Sequence, residues 1–98
     1  MTTLQTIEKR LGANKEYIQQ NYHVVSIGIF GSFISGKNTK KSDFDCLVQF
    51  KSGYKDFFNY MRLKFYLEEL LGQEVDLVMK DALRPRLKEK ILKQVQYV

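Results

Sequence analysis

The chain has 98 residues, 44% of them hydrophobic and 13% aromatic, with 16 Lys and Arg against 11 Asp and Glu for a formal net charge of +5. These figures exclude a disordered chain and predict one domain, residues 1–98, built on one core. Cys46 is the only cysteine, which excludes an intramolecular disulfide and fits a reducing cytoplasm. The opening MTTLQTIEKRL places acid and base early and contains no apolar run, so it is not a signal peptide. The longest uncharged, mostly apolar stretch, Val24 to Gly36, is too short to span a bilayer, and no membrane partner is expected.

Leu4, Ile7 and Leu11 recur at helical spacing until Gly12 interrupts them, and Asn14 then suits the cap of a second helical piece carrying Tyr17 and Ile18 and ending near Asn21. The run VVSIGIF, Val24 to Phe30, is apolar and rich in β-branched residues, the mark of a buried strand that stops at Gly31-Ser32. Ser35 to Ser42 is polar and reads as a loop. Asp43 to Phe50 reads as a second strand, broken by Ser52-Gly53. Tyr54 to Leu71 reads as a helix, with Phe57, Phe58, Met61, Phe65 and Leu70-Leu71 as its apolar stripe and Gly72 as its stop. Glu74 to Met79 is a third short strand. Leu83, Leu87, Ile91 and Val95 then keep a four-residue spacing on a last helix, with Pro85 in its first turn. The economical architecture is α+β: a small mixed sheet of at least three strands with helices packed against it.

The informative feature is a set of acids on segments that read as buried. Asp43 and Asp45 are two apart on a strand, so their side chains leave the same face, starting roughly 7 Å apart at about 3.3 Å rise per residue. Asp76 repeats the situation between Val75 and Leu77-Val78. If the two strands are sheet neighbours, three carboxylates converge. Unpaired, such a group would cost several kcal/mol; a divalent cation removes that cost. Oxygen-only ligation suits Mg²⁺ or Mn²⁺ rather than zinc, and two such ions can clamp the attacking and leaving oxygens of an in-line phosphoryl displacement. Any one of these acids alone reads more simply as a turn cap, a partner for a lysine or an exposed strand residue. Gly31-Ser32, directly after the first strand, lets the backbone approach a phosphate closely and offers a hydroxyl and N–H donors.

The string GIFGSFISGKNTKKSDFDCLVQF resembles the signature of the DNA polymerase β superfamily of nucleotidyltransferases: a hydrophobic strand, Gly-Ser, a spacer, then Asp-x-Asp, with the third acid in VDLV. Over essentially its full length the chain is similar to the minimal nucleotidyltransferase (MNT) domains, whose C-terminal segment VDLVMKDALRPRLKEKILKQVQYV resembles closely. The resemblance implies the nucleotidyltransferase fold. It implies that Asp43 and Asp45 bind both of two Mg²⁺ ions, that Asp76 binds one and helps to deprotonate the attacking hydroxyl, and that Gly31 and Ser32 hold the triphosphate of ATP. It further implies adenylyl transfer to a tyrosine of a small HEPN-domain toxin, with this chain as the antitoxin. In one respect the chain departs from many relatives: Ser35 stands where they carry an arginine before the second glycine of the loop, and a serine cannot give the charged, bidentate contact. Lys37, Lys40 and Lys41 are the nearby cations.

Two other functions compete with protein adenylylation. One is an antitoxin that neutralises its partner by binding alone, with a vestigial site. The other is nucleotidyl transfer to a small molecule or to RNA. From Leu77 to Val98 six basic residues stand against two acids, but such a run reads first as a solvated helix face, and nucleic acid is not an expected partner. His23 reads as a boundary residue and Cys46 as core packing. The aromatic group Tyr54, Phe57, Phe58, Tyr60, Phe65 and Tyr66 is too large for one helix face, so part of it reads as a surface for a second copy or a partner. Tyr97-Val98 would dock either on the sheet or on a partner.

Overall fold

Alternation along β2 (Phe44–Phe50) and helical spacing along α4 (Phe57–Leu71) together decide the architecture. A computed structural model describes residues 3–37 and 43–98. Lys40 and Lys41, and the end of the polar loop, lie outside the described residues. The elements run α1 (Leu4–Ala13), α2 (Lys15–Tyr22), β1 (Val24–Phe30), a short helix α3 (Ser32–Ser35), β2, α4, β3 (Val75–Met79), a 3₁₀ turn (Lys80–Ala82), α5 (Pro85–Gln94) and β4 (Gln96–Tyr97).

The four strands form one sheet in the order β3-β2-β1-β4. β1 is antiparallel to β2 and to β4, whereas β2 and β3 are parallel. Phe44, Cys46, Val48 and Phe50 alternate onto one face, joined by Ile27 and Ile29 of β1 and by Val75 and Leu77 of β3, and all are buried in the main core. Ile7, Leu11, Ile18, Leu63, Leu67 and Leu71, from α1, α2 and α4, complete that core. The partners Gly28 and Leu47, Phe30 and Asp45, and Asp45 and Asp76 therefore share the opposite face. Register shifts in β1 between Val24 and Ser26, a bulge that leaves Val25 exposed.

α4 turns a different face to the sheet from the one its aromatics suggest. Phe57, Phe58 and Phe65 are 70%, 77% and 60% exposed, whereas Leu63, Leu67 and Leu71 are fully buried. The series Phe57, Met61, Phe65 and the series Leu63, Leu67, Leu71 both keep a four-residue spacing, so apolar periodicity alone does not choose between them. Polar anchors set the rotation. Tyr60 Oη donates to the Leu77 carbonyl at 2.5 Å, the Glu68 carboxylate accepts from the Val75 N–H at 3.1 Å, and the buried Asn59 amide donates to the carbonyls of Tyr22 and Tyr54 at 2.8 and 3.0 Å. The helix begins at Phe57 rather than Tyr54 because the Asp56 side chain caps it, accepting from the Asn59 N–H at 3.1 Å. Gly72 closes it in the left-handed region at φ 69°.

The chain's last residues dock on the sheet. Gly28 pairs with Tyr97 and Ile29 with Gln96, and the Val98 N–H donates to the Ile27 carbonyl at 2.9 Å. Gly28 makes this possible, since a Cβ there would sit 2.6 Å from a Val95 methyl. Along α5 the stripe is only partly used: Ile91 is half-buried, but Leu87 remains 51% exposed.

The rotation of α4 is checked by urea unfolding. Leu67→Ala should cost about 2–5 kcal/mol, and Phe58→Ala should stay within about 0.5 kcal/mol of wild type. The reverse ranking would mean that the aromatic stripe faces the core.

Candidate functional site

Three residues fall in one row across the sheet. Phe30 pairs with Asp45, and Asp45 pairs with Asp76. The row lies where β1 ends and β2 and β3 begin, so the Gly31-Ser32 turn that leaves β1 stands directly beside the Asp45 side chain. Gly31 has φ 79° and ψ −149°, a region essentially reserved for glycine. A Cβ at Gly31 would run into the Asp45 carboxylate. The glycine is thus required twice, for its backbone angles and for the space above it.

Ser32 opens α3, whose first N–H groups have no partner within the helix. The Ser32 N–H donates to the Asp45 carboxylate, which favours its charged form. Burial is the largest opposing influence, and the neighbouring Asp76 carboxylate adds to it by charge and by a side-chain hydrogen bond; together they push the Asp45 carboxyl up to about 6. Asp43 precedes β2, is exposed, and contributes a smaller push in the same direction. Asp45 and Asp76 are therefore brought together directly, and Asp43 acts on Asp45 through its charge. Among the described residues, no three His, Cys, Asp or Glu side chains are closed around a point as metal ligands.

The donor set of the row is entirely oxygen, the chemistry a hard divalent cation requires. The raised Asp45 is what two carboxylates do when forced together in partial burial, and a cation between them would remove that repulsion. The residues therefore fit an ion of the magnesium or manganese type. Ser35 turns its hydroxyl back to the Ser32 carbonyl at 3.3 Å, and Lys37 is the one loop lysine among the described residues, exposed just after Gly36.

Other residues singled out in the sequence stand elsewhere. His23 is the αL residue between α2 and β1, at φ 54°, stacked on Tyr54 at 3.7 Å. It adjoins Val24, at the opposite end of β1 from the acids. Cys46 is fully buried in the core, and burial pushes its thiol up. One contact at the turn escaped the sequence reading: the Gly31 N–H donates to the Gln94 side-chain oxygen at 3.2 Å. Gly28 within an apolar strand was the available signal that another backbone approaches β1, though not which one.

The nucleotidyltransferase domain family matches residues 13–98. The chain belongs to that family. It is 40% identical to the protein adenylyltransferase MntA of Thermococcus cleftensis, over the whole of this chain and 98% of that protein. A solved structure assigned as a minimal nucleotidyltransferase superposes with a TM-score of 0.83 at 35% identity, covering 96% of this chain and 94% of the other. A chain from the Shewanella oneidensis complex of a tri-AMPylated HEPN toxin with its MNT antitoxin shares the fold at 20% identity, with a TM-score of 0.67 over 93% of this chain and 70% of that one. The expected mixed α+β sheet and the resemblance to minimal nucleotidyltransferases are both borne out.

The Asp45–Asp76 pair has a consequence for stability. An unfolded aspartate titrates near 3.9 and folded Asp45 near 6, so between about pH 4 and pH 6 the native state binds the extra proton. Stability contributed by this group is present below pH 4 and falls as pH rises through 6. In cation-free protein, Asp45→Asn should therefore raise stability at pH 7 by on the order of 1 kcal/mol, after allowance for solvent screening. The same substitution should have little effect at pH 4. Urea midpoints at the two pH values check this; an Asp45→Asn variant less stable than wild type at pH 7 would contradict it.

Proposed function

We propose that the chain transfers AMP from ATP to a tyrosine hydroxyl of a partner protein, a HEPN-type toxin, and thereby acts as its antitoxin. The observation that carries this reading is the Asp45–Asp76 pair set against the Gly31-Ser32 turn at one end of the sheet. Full-length similarity to a protein adenylyltransferase supports the reaction class, and the shared fold of an MNT antitoxin found with an AMPylated HEPN toxin supports the acceptor. The exposed aromatic strip Phe57, Phe58 and Phe65 is consistent with a life in complex with protein. The reduced, buried Cys46 and the use of ATP fit a cytoplasmic setting.

Each residue has a distinct task. Gly31 lets a triphosphate come within hydrogen-bond distance of backbone, and the Ser32 hydroxyl and the Phe33 N–H in the first turn of α3 donate to its oxygens. Asp43, Asp45 and Asp76 would hold Mg²⁺, or Mn²⁺ in its place. Bound there, the ions would supply neutralisation of the charge that builds on the transferring phosphoryl group and its leaving pyrophosphate. Asp76 lies at the edge of the row and is exposed to solvent; in this reading it takes the proton of the incoming hydroxyl. Asp45 must be ionised to ligate a cation, so with the metal-free carboxyl displaced to about 6 the cation competes with a proton and its binding weakens as pH falls through that value.

The rival reading, neutralisation by binding alone, draws on Ser35 in the arginine's place. One experiment separates the two. The protein is incubated with ATP labelled at the α-phosphate, Mg²⁺ and the HEPN-domain protein encoded beside it. Wild type should label a tyrosine of that protein, and Asp43→Asn with Asp45→Asn should reduce labelling by more than about a hundredfold. Equal labelling by the two proteins, or none by either while the double variant still protects cells, would replace catalysis with masking.

A further inference from the structure

We propose that Gln94 is a positioning residue of the nucleotide site: its side-chain oxygen fixes the Gly31 peptide so that the turn receives a triphosphate. The proposal rests on the nucleotidyltransferase reading of the Gly31-Ser32 turn and extends it to the far end of the chain. Gln94 closes α5, and its Oε1 accepts the Gly31 N–H at 3.2 Å, a partly buried bond between residues 63 apart in sequence.

Two consecutive N–H groups at the turn are thereby held in different ways. The Gly31 N–H goes to Gln94, and the Ser32 N–H goes to Asp45. The Gly31 N–H, at the entrance, keeps its partner from outside the row of acids. Gly31 lies in a sparsely populated backbone region, and such conformations persist only where the surroundings over-determine them. Gln94 supplies part of that determination from an element that contributes no acid.

The acceptor is itself held in place. Immediately after Gln94, a Val95 methyl occupies the space above Gly28. Gln96 pairs with Ile29, and the Val98 N–H bonds the Ile27 carbonyl. The last five residues thus run along the strand that delivers Gly31, and the amide at their head meets the turn where that strand ends. A neutral amide satisfies the N–H without bringing another negative charge to a place already crowded by carboxylates.

The test uses the full chain, Mn²⁺ and a non-hydrolysable ATP analogue. Gln94→Leu removes the acceptor at similar volume, and Gln94→Glu keeps an acceptor oxygen. Affinity for the analogue should fall about tenfold in Gln94→Leu, whereas Gln94→Glu, which adds a charge but keeps the acceptor oxygen, should leave the Gly31 amide as protected from hydrogen exchange as in wild type. In turnover, KM for ATP should rise in Gln94→Leu while kcat holds, a split that general loosening of the fold would not produce. Unchanged affinity in a folded Gln94→Leu protein overturns the proposal. So does tighter binding, which would make Gln94 a competitor for the N–H. Should Gln94→Leu fail to fold, hydrogen exchange in the wild-type chain decides: the Gly31 amide should be protected, and free exchange there overturns the proposal. Wild type that binds nucleotide through Gln94 yet labels no protein would sink the proposed function and leave this inference standing.

Discussion

Asp45 and Asp76 stand side by side because β2 and β3 are parallel neighbours in one register, and every other feature of the candidate site is arranged around that pair. The register is not set by the acids. It is set by Phe44, Cys46, Val48 and Phe50, whose burial on one face obliges the residues between them to point the other way. A slip of one residue would drive Asp45 into the core and lift Cys46 into its place. The hydrophobic face therefore specifies the polar one, and the chain needs no separate device to bring two carboxylates together on strands that are 31 residues apart at Asp45 and Asp76.

Holding like charges together has a cost that the fold must carry. Burial and the Asp76 charge push Asp45 upward, and among the described residues the Ser32 N–H opposes them. The same features that make the row unfavourable in isolation make it a place where positive charge is welcome. Strain at Gly31 belongs to the same bargain: a glycine-only backbone conformation leaves open the space above Asp45 that a side chain would fill. Stability is supplied elsewhere, by the fully buried Leu63, Leu67 and Leu71 against the sheet and by Ile7, Leu11 and Ile18 beside them.

Much of this was legible in the sequence, and the reasons differ by element. β1 was readable residue for residue because VVSIGIF has no competing interpretation, and β2 was readable to within its first residue. The acids were readable because charge inside apolar strands is improbable without a purpose. The face of α4 was not, because two apolar stripes share one spacing and the choice between them lies in Tyr60, Glu68 and Asn59 bonding to partners distant in sequence. β4 was undecided because two residues carry no periodicity; its place depends on Gly28, sixty-nine residues before Tyr97. Gln94 was invisible for a related reason. A lone glutamine near a helix end has no pattern, and its meaning appears only when α5 is seen to finish beside Gly31.

The central proposal is a divalent cation and a triphosphate held by Asp45 and Asp76, with Asp43 just before β2, beside the Gly31-Ser32 turn. Manganese uptake followed by electron paramagnetic resonance, in the presence of a non-hydrolysable ATP analogue, addresses that placement without depending on the acceptor. The account predicts bound manganese in the wild-type chain and its loss in Asp76→Asn, a change at the edge of the sheet that leaves the core intact. Manganese that fails to bind wild type with nucleotide present, or that binds Asp76→Asn equally well, would contradict it.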